Sequence, residues 1–333
     1  MGEPLTKVDY EGYKLSFPVG QADAYNRVWN QLVSKQQVER SLCREYWEIM
    51  VILNNMAIDY AVPLLRPKPQ NRIFLEKCQN NFGFQMVQSG IFPPQILAYP
   101  RNLCATIKSS KLILLNSRAF KKPERLINGW NTVVSPYGDG GYVISKNATV
   151  IIGKMITHDL DPIVTKIQKT RIGIFPSVVN YEYSKSCDKP DIIYNNHIDR
   201  VACLLKDPRE KIHLVIDPQL VLASYSDKNT NDIFLLEPYK ALKLIKKTFE
   251  PIGIKVHWPK SIEIPCSLNL IQFEDGRVLM TGGEHSLREV VSSIVGTKNV
   301  FETRIPIEFL PVWKRAGIHC LLSEIPDSVL TLT

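Results

Sequence analysis

The chain has 333 residues and a formal net charge of +8 at pH 7. Hydrophobic residues make up 44% of the chain and charged residues 22%, which is typical of globular proteins and excludes an intrinsically disordered chain. No apolar stretch approaches the roughly 18 residues that a membrane-spanning helix needs, so no membrane association is predicted. Lysine and arginine residues are spread along the chain instead of clustered, which argues against nucleic-acid binding.

The first hundred residues have the pattern of a helical segment. Within 22–61, apolar residues recur at the spacing of an α-helix, and a second helix is predicted from about Val38 to Tyr60. The sequence RPKPQ at 66–70 ends this pattern, because proline interrupts helices. No low-complexity linker follows, so the sequence predicts a helical N-terminal portion at about 1–95 without a domain boundary after it.

Cysteine usage indicates a reducing compartment. The seven cysteines are odd in number, widely scattered and without a C-x-x-C pair, so neither a zinc site nor a disulfide framework is predicted. The N-terminal sequence MGEPLTKVDYEG lacks the basic and apolar regions of a secretory signal. These features favour a cytoplasmic protein with no metal and no cofactor, in which one cysteine can serve as a nucleophile while the others lie in the core.

From residue 100 onward, one pattern recurs: a short apolar strand, a polar turn and another apolar strand. The five copies lie at 102–116, 141–153, 200–216, 268–282 and 317–332. Their turns contain residues typical of β-hairpins. Helices are predicted between hairpins at 161–170, Pro238–Phe249 and Leu287–Val295, and further strands such as Gly253–His257 precede several copies. The pattern favours five ββαβ-like units around an axis, each too small to bury its apolar face alone.

Each hairpin begins with a polar group that such a ring would bring towards its centre. These groups are Asn102, Asp139, His197 with Asp199, Asn269, and His319 with Cys320. Two glycines, Gly140 and Gly141, follow Asp139 and indicate a close approach of another segment to the backbone there. A thiol, an imidazole and two carboxylates at equivalent places are the parts of a nucleophile, a proton donor and a clamp for a cation.

The motifs GDGG at 138–141, HID at 197–199 and GIHC at 317–320, in this order on a fivefold repeat, resemble the pentein superfamily of guanidine-modifying enzymes. That superfamily includes arginine and agmatine deiminases, dimethylargininases, peptidylarginine deiminases and amidinotransferases. The resemblance covers about residues 95–333. It implies an α/β fold, a five-bladed pseudo-symmetric α/β propeller, in a single catalytic domain that spans 1–333.

The resemblance also implies a covalent thiouronium intermediate. Cys320 would attack the guanidinium carbon of arginine or an arginine-derived substrate, because a thiolate is a strong, soft nucleophile. His197 would protonate the departing amine and then deprotonate the water that releases the product. Asp139 and Asp199 would hold the guanidinium, and Asp199, two residues after His197 in one strand, is expected on the same face. The same alternation would turn His319 away from Cys320, as a packing residue.

The first hairpin departs from the family pattern. Deiminases usually carry Arg-Asp where this chain has Arg101 and Asn102. An amide carries no charge, so Asn102 should bind a guanidinium more weakly than a carboxylate does, by about 1.5–3 kcal/mol. We expect both residues to line the substrate site, with weaker binding, or a different substrate or reaction, as the consequence.

The favoured function is a hydrolase of the deiminase type that acts on a small arginine-like guanidine. Several alternatives to it stay open. An amidinotransferase would pass the amidino group to an amine acceptor, and the segment 267–280 resembles that branch as well. A third alternative is an enzyme that modifies arginine residues of proteins, in which the helical N-terminus would bind the protein partner. A non-catalytic binding protein has a precedent in the ribosome anti-association factor of the same fold, but the cysteine, histidine and two carboxylates favour an enzyme. A homodimer is also left open.

Overall fold

The structure is a computed structural model. The residues it describes are 5–10, 13–18, 104–117, 130–155, 160–168, 170–178, 197–226, 229–264, 266–303 and 317–321. The chain divides into two compact units, of which one contains Met1–Pro100 with Leu321–Thr333 and the other contains Arg101–Cys320. None of the helices in the described ranges is long and apolar enough to cross a membrane.

The described part of the first unit is a β-hairpin. Strand β1 (Leu5–Tyr10) pairs antiparallel with β2 (Tyr13–Pro18), and Leu5 lies opposite Pro18. This hairpin lies within the portion predicted to be helical at about 1–95, so that prediction is wrong for Leu5–Tyr10 and Tyr13–Pro18. The helices predicted within 22–61 lie outside the described residues and stay a prediction.

The second unit contains four three-stranded sheets that share one topology. In each sheet, an antiparallel hairpin is followed by a third strand that lies parallel to the second strand of the hairpin. The first two sheets contain β3 (Cys104–Ile107), β4 (Leu112–Asn116) and β5 (Asn131–Ser135), then β6 (Val143–Lys146), β7 (Thr149–Gly153) and β8 (Arg171–Phe175). The third and fourth contain β9 (Ala202–Lys206), β10 (Ile212–Ile216) and β13 (Lys255–His257), then β14 (Ile271–Gln272), β15 (Val278–Met280) and β16 (Val300–Glu302).

The parallel third strands require crossover connections, and helices occupy three of them. Helix α1 (Asp161–Val164) connects β7 to β8, and α3 (His285–Val295) connects β15 to β16. The connection from β10 to β13 contains α2 (Pro238–Phe249) and an additional antiparallel hairpin. The strands of that hairpin are β11 (Leu222–Ser226) and β12 (Asn229–Leu236).

The central strands β4, β7 and β10 are mostly apolar because both of their faces are covered, and each contains one polar residue, Asn116, Thr149 and His213 respectively. Every residue of β4, β7 and β10 is buried. Helix α2 buries Ala241, Ile245 and Phe249, which recur every four residues and so form one helix face. The ring centroid of Phe249 lies 5.9 Å from that of Phe175 in β8. The second and third sheets and α2 therefore share one hydrophobic core.

The mixed α/β class and four of the five predicted hairpins are confirmed, and each of the four has the parallel strand of a ββαβ-like unit. The fifth hairpin, 317–332, is described only at 317–321, so the five-bladed ring stays a prediction. The helix predicted over 161–170 ends at Val164. Beyond that point the backbone tightens, since the N–H of Lys166 bonds to the carbonyl of Ile163, three residues earlier.

Candidate active site

Short 3₁₀ turns at the ends of the sheets hold the predicted site residues. Asp139 lies between the 3₁₀ turns Pro136–Gly138 and Gly140–Tyr142, and β6 begins directly after the second turn. The first of these turns is capped by Ser135, whose hydroxyl accepts a hydrogen bond from the backbone N–H of Tyr137 at 3.2 Å. This cap fixes the path of the chain towards Asp139.

The expectation that His197, Asp199 and Cys320 lie in strands was wrong. His197 precedes the 3₁₀ turn Ile198–Arg200, and the β9 ladder begins only at Ala202. Cys320 lies in the 3₁₀ turn that spans residues 318–321. The alternation of faces in a strand therefore does not apply to these residues, and their placement depends on turn geometry and on neighbouring segments.

Asp139 and His197 form a pair beside a glycine. His197 Nε2 lies 3.4 Å from Asp139 Oδ2. A Cβ atom on Gly141 would lie 2.1 Å from His197 Nδ1, so the imidazole occupies space that only glycine leaves open, which is the close approach expected from the two glycines. The Tyr142 ring meets the imidazole edge to face, with centroids 4.7 Å apart. Asp139 Oδ1 is buried and has no hydrogen-bond partner among the described residues, which leaves an acceptor for a ligand.

The carboxylates around His197 favour its charged form. Burial lowers the pKa of His197, but Asp139, through charge and a hydrogen bond, and Asp199, through charge, outweigh burial and raise it above its usual value. Arg200 opposes them with a smaller effect. The imidazolium that a proton donor needs is therefore stabilised in this site.

Asn269 connects the segments that carry Asp199 and Cys320. Its side-chain amide donates from Nδ2 to the backbone carbonyl of Asp199 at 3.1 Å. Its Oδ1 accepts a hydrogen bond from the backbone N–H of Cys320 at 2.7 Å. The backbone N–H of His319 donates to the carbonyl of Asn269 at 2.9 Å. Asn269 is 1% exposed, so it is a buried polar bridge between two segments that are far apart in the sequence.

The thiol of Cys320 is held in its neutral form when no ligand is bound. Burial raises the pKa of Cys320 well above its usual value, and the charges of Asp199 and Cys266 raise it further. A backbone hydrogen bond at Gly317 and the charge of Arg200 oppose this rise with smaller effects. A cation close to Asp199 and Cys320 would favour the thiolate.

Arg200 and Cys266 are neighbours of the site that sequence reasoning missed. Arg200 Nε donates a hydrogen bond to Cys266 Sγ at 3.2 Å. Burial lowers the pKa of Arg200, but Cys266, Cys320 and Asp199 together raise it. The available signals were the position of Arg200 directly after the HID motif and that of Cys266 three residues before Asn269.

The structure thus pairs Asp139 with His197 and links Asp199 to Cys320 through Asn269. Asp199 affects both groups, since its charge raises the pKa of His197 and of Cys320. Arg101 and Asn102 lie outside the described residues, so their place in the site stays a prediction.

We expect Asp139→Asn to lower the pKa of His197 and to destabilise the protein most at acidic pH. A histidine whose pKa is raised by folding adds stability below its unfolded-state pKa of about 6.5, and this stability is lost as the pH rises through the folded-state value. The loss in free energy of unfolding should therefore be larger at about pH 5.5 than at about pH 9, by on the order of 1 kcal/mol. Urea unfolding at both pH values measures it, and an equal loss at the two would contradict the pairing.

We expect Asn269→Ala to disturb the position of Cys320 and to leave the buried backbone N–H of Cys320 without its hydrogen-bond partner. The cost should be about 1–3 kcal/mol of stability, together with a lower rate of Cys320 alkylation. Asn299→Ala is a matched control, because Asn299 Nδ2 bonds to the carbonyl of Val295 at 2.6 Å, at the end of α3. The control should lose stability without a change in alkylation. An unchanged alkylation rate in Asn269→Ala would remove Asn269 from the site.

No protein-family model matches the chain, and no curated protein matches it. The solved structures that are similar to it include the following two. ArgZ, an arginine dihydrolase from the ornithine–ammonia cycle in cyanobacteria, is 14% identical with a TM-score of 0.40, and the similarity covers 82% of this chain but only 40% of ArgZ. DDAH from Pseudomonas aeruginosa, in a mutant complexed with citrulline, is 10% identical with a TM-score of 0.34, over 62% of this chain and 68% of DDAH. With TM-scores this low, neither similarity defines the fold or the activity of this chain.

Proposed function

We propose that the protein is a pentein-like, Cys-dependent enzyme that modifies the guanidine group of arginine or of an arginine-derived molecule. The observation that supports it most is that Asn269 bridges Asp199 and Cys320, while His197, two residues before Asp199, pairs with Asp139. Asp199 is 1% exposed, and its charge raises the pKa of both His197 and Cys320. In this proposal, a flat cation with several N–H donors binds beside Asp199 and the unpartnered Oδ1 of Asp139.

In the proposed reaction, the bound substrate cation favours the thiolate of Cys320, whose proton passes to the solvent, and Sγ of the thiolate forms a bond to the guanidinium carbon. The carbon–nitrogen bond to the leaving amine then breaks, and His197 gives that amine a proton. The product of this step is an S-alkylthiouronium on Cys320. Water attacks the same carbon, His197 takes up the proton of the water, and the carbon–sulfur bond breaks to release Cys320 as the thiolate.

The neutral thiol of Cys320 predicts that a cationic ligand is needed to activate it. We expect 2-chloroacetamidine, a cation, to alkylate Cys320 at least about 10-fold faster than 2-chloroacetamide, its neutral isostere, because a positive charge lowers the pKa of the thiol. Mass spectrometry of the intact and digested protein gives the rate and the modified residue. Equal rates for the two reagents, or an adduct on another cysteine, would count against this site.

A hydrolase and an amidinotransferase differ in the nucleophile that attacks the thiouronium carbon, which is water in a hydrolase and an amine in a transferase. Arginine turnover with and without glycine as an amine acceptor separates them. Citrulline as the product indicates deimination, whereas ornithine that forms only in the presence of the amine indicates transfer. If arginine, agmatine and methylated arginines yield neither a ureido product nor an amine-dependent loss of the amidino group, the binding-protein alternative is favoured.

A further inference from the structure

A cavity of about 830 Å³ lies at the end of the strands opposite the candidate active site. Asp139 precedes β6, whereas the cavity is lined by the β6–β7 turn at Asn147 and by Arg171, the first residue of β8. The third sheet contributes Lys211, directly before β10, and Lys255, the first residue of β13. The length of the strands separates the two sites by about 13–17 Å.

The cavity is lined by three cationic side chains and by one carboxylate, that of Glu210. Arg171, Lys211 and Lys255 line it, and none of the three forms an ion pair with a carboxylate among the described residues. Arg171 Nη1 donates only a long hydrogen bond, at 3.4 Å, to the carbonyl of Gly253. This contact joins the second sheet to the loop before β13, so the arginine lies across the cleft between the two sheets.

The acidic and imidazole groups nearby are already engaged. Glu210 accepts hydrogen bonds from Lys206 at 2.8 Å and from Asn147 at 2.6 Å. Asp207 accepts backbone N–H bonds from Arg209 and Lys211 at 2.8 and 2.9 Å. Glu210 is thus paired with Lys206, so the cavity wall keeps an excess of positive charge from Arg171, Lys211 and Lys255.

His213 also lines the cavity, and both nitrogens of its ring have hydrogen-bond partners. Its Nδ1 lies 2.9 Å from His257 Nε2, and its Nε2 lies 3.3 Å from Asp207 Oδ2. In the parallel pairing of β10 and β13, His213 lies beside Lys255. The three cationic residues thus lie at strand ends and beside a tight turn, and their side chains are exposed.

We propose that this cavity binds a small multivalent anion that carries linked phosphate groups. Guanidinium groups recognise phosphate oxygens in a bidentate manner, and ammonium groups add charge without a strict geometry. A volume of about 830 Å³ exceeds what a single phosphate fills, so two or more linked phosphates suit it better. The inference is independent of the proposed function, because it uses no residue of the candidate active site.

Titration of the full chain with pyrophosphate, followed by calorimetry at low ionic strength, tests the proposal. We expect saturable binding of one pyrophosphate per chain, tighter than the binding of orthophosphate, and weakened at least about 10-fold in Arg171→Gln/Lys255→Gln. Lys240→Gln/Lys247→Gln on α2 is a control that removes the same charge from exposed positions. Lys211→Gln provides a milder single change if the double variant folds poorly.

Several results would overturn the proposal. These are no binding of pyrophosphate by the wild-type chain, an equal loss of affinity in the control variant, and binding of single-stranded RNA that pyrophosphate cannot displace. Cys320→Ala should retain pyrophosphate binding in full. Loss of binding in that variant would place the anion in the active site instead.

Discussion

Replacing Cys320 with alanine is expected to lower guanidine turnover by at least about 10³-fold, because the proposed covalent intermediate forms on its sulfur. Adduct formation with 2-chloroacetamidine should disappear in the same variant. The change removes one sulfur atom from a buried position, so the protein should stay folded with a modest loss of stability. Product formation under saturating arginine, together with intact-protein mass spectrometry, measures both effects.

Cys203→Ala is the matched control for this experiment. Cys203 is also buried, in the hydrophobic core of β9, and burial raises the pKa of its thiol far above the usual value. Its replacement should reduce stability by a similar amount and leave turnover and alkylation intact. Retained activity in Cys320→Ala would reject the assignment of the nucleophile, whatever the control does.

Replacing His197 with alanine is expected to reduce turnover by about 10²–10⁴-fold, the range for loss of a general acid–base group. Alkylation of Cys320 by 2-chloroacetamidine should persist, because chloride leaves without needing a proton. This difference separates a proton-transfer role from a general collapse of the site. The measurements are steady-state turnover and the alkylation rate on one preparation of the variant.

His285→Ala is the control for His197, since His285 is an exposed residue at the first position of α3. It should leave turnover and alkylation unchanged. If His197→Ala lost alkylation as well as turnover while remaining folded, His197 would position or activate Cys320 instead of transferring protons. If His197→Ala kept full turnover, the proposed mechanism would be wrong.

The hairpins of the second unit could be predicted because their signal is local. Apolar strands separated by short polar turns identified the hairpins at β3–β4, β6–β7, β9–β10 and β14–β15, and the apolar face of α2 identified that helix with its observed bounds. The hairpin of β11 and β12 was not predicted, because it interrupts the recurring pattern within a crossover connection.

The local conformation of the site could not be predicted from the same signal. The segments around His197 and Cys320 contain apolar residues that resemble strand starts, yet both form 3₁₀ turns. Their conformation is fixed by contacts with distant segments, such as the bond from Cys320 N–H to Asn269 and the imidazole seated against Gly141. Periodicity along one segment carries no information about such partners.

The sequence by itself determined the repeating hairpins and the set of chemical groups proposed for the site, because turn composition, apolar alternation and residue type are properties of short segments. Only the tertiary structure decided that Asp139 pairs with His197, that Asn269 bridges Asp199 and Cys320, and that three cations face one cavity behind the strands. These relations join residues that are far apart in the sequence, such as Asn269 and Asp199 at 70 positions, and they exist only where packing of separate segments brings them into contact.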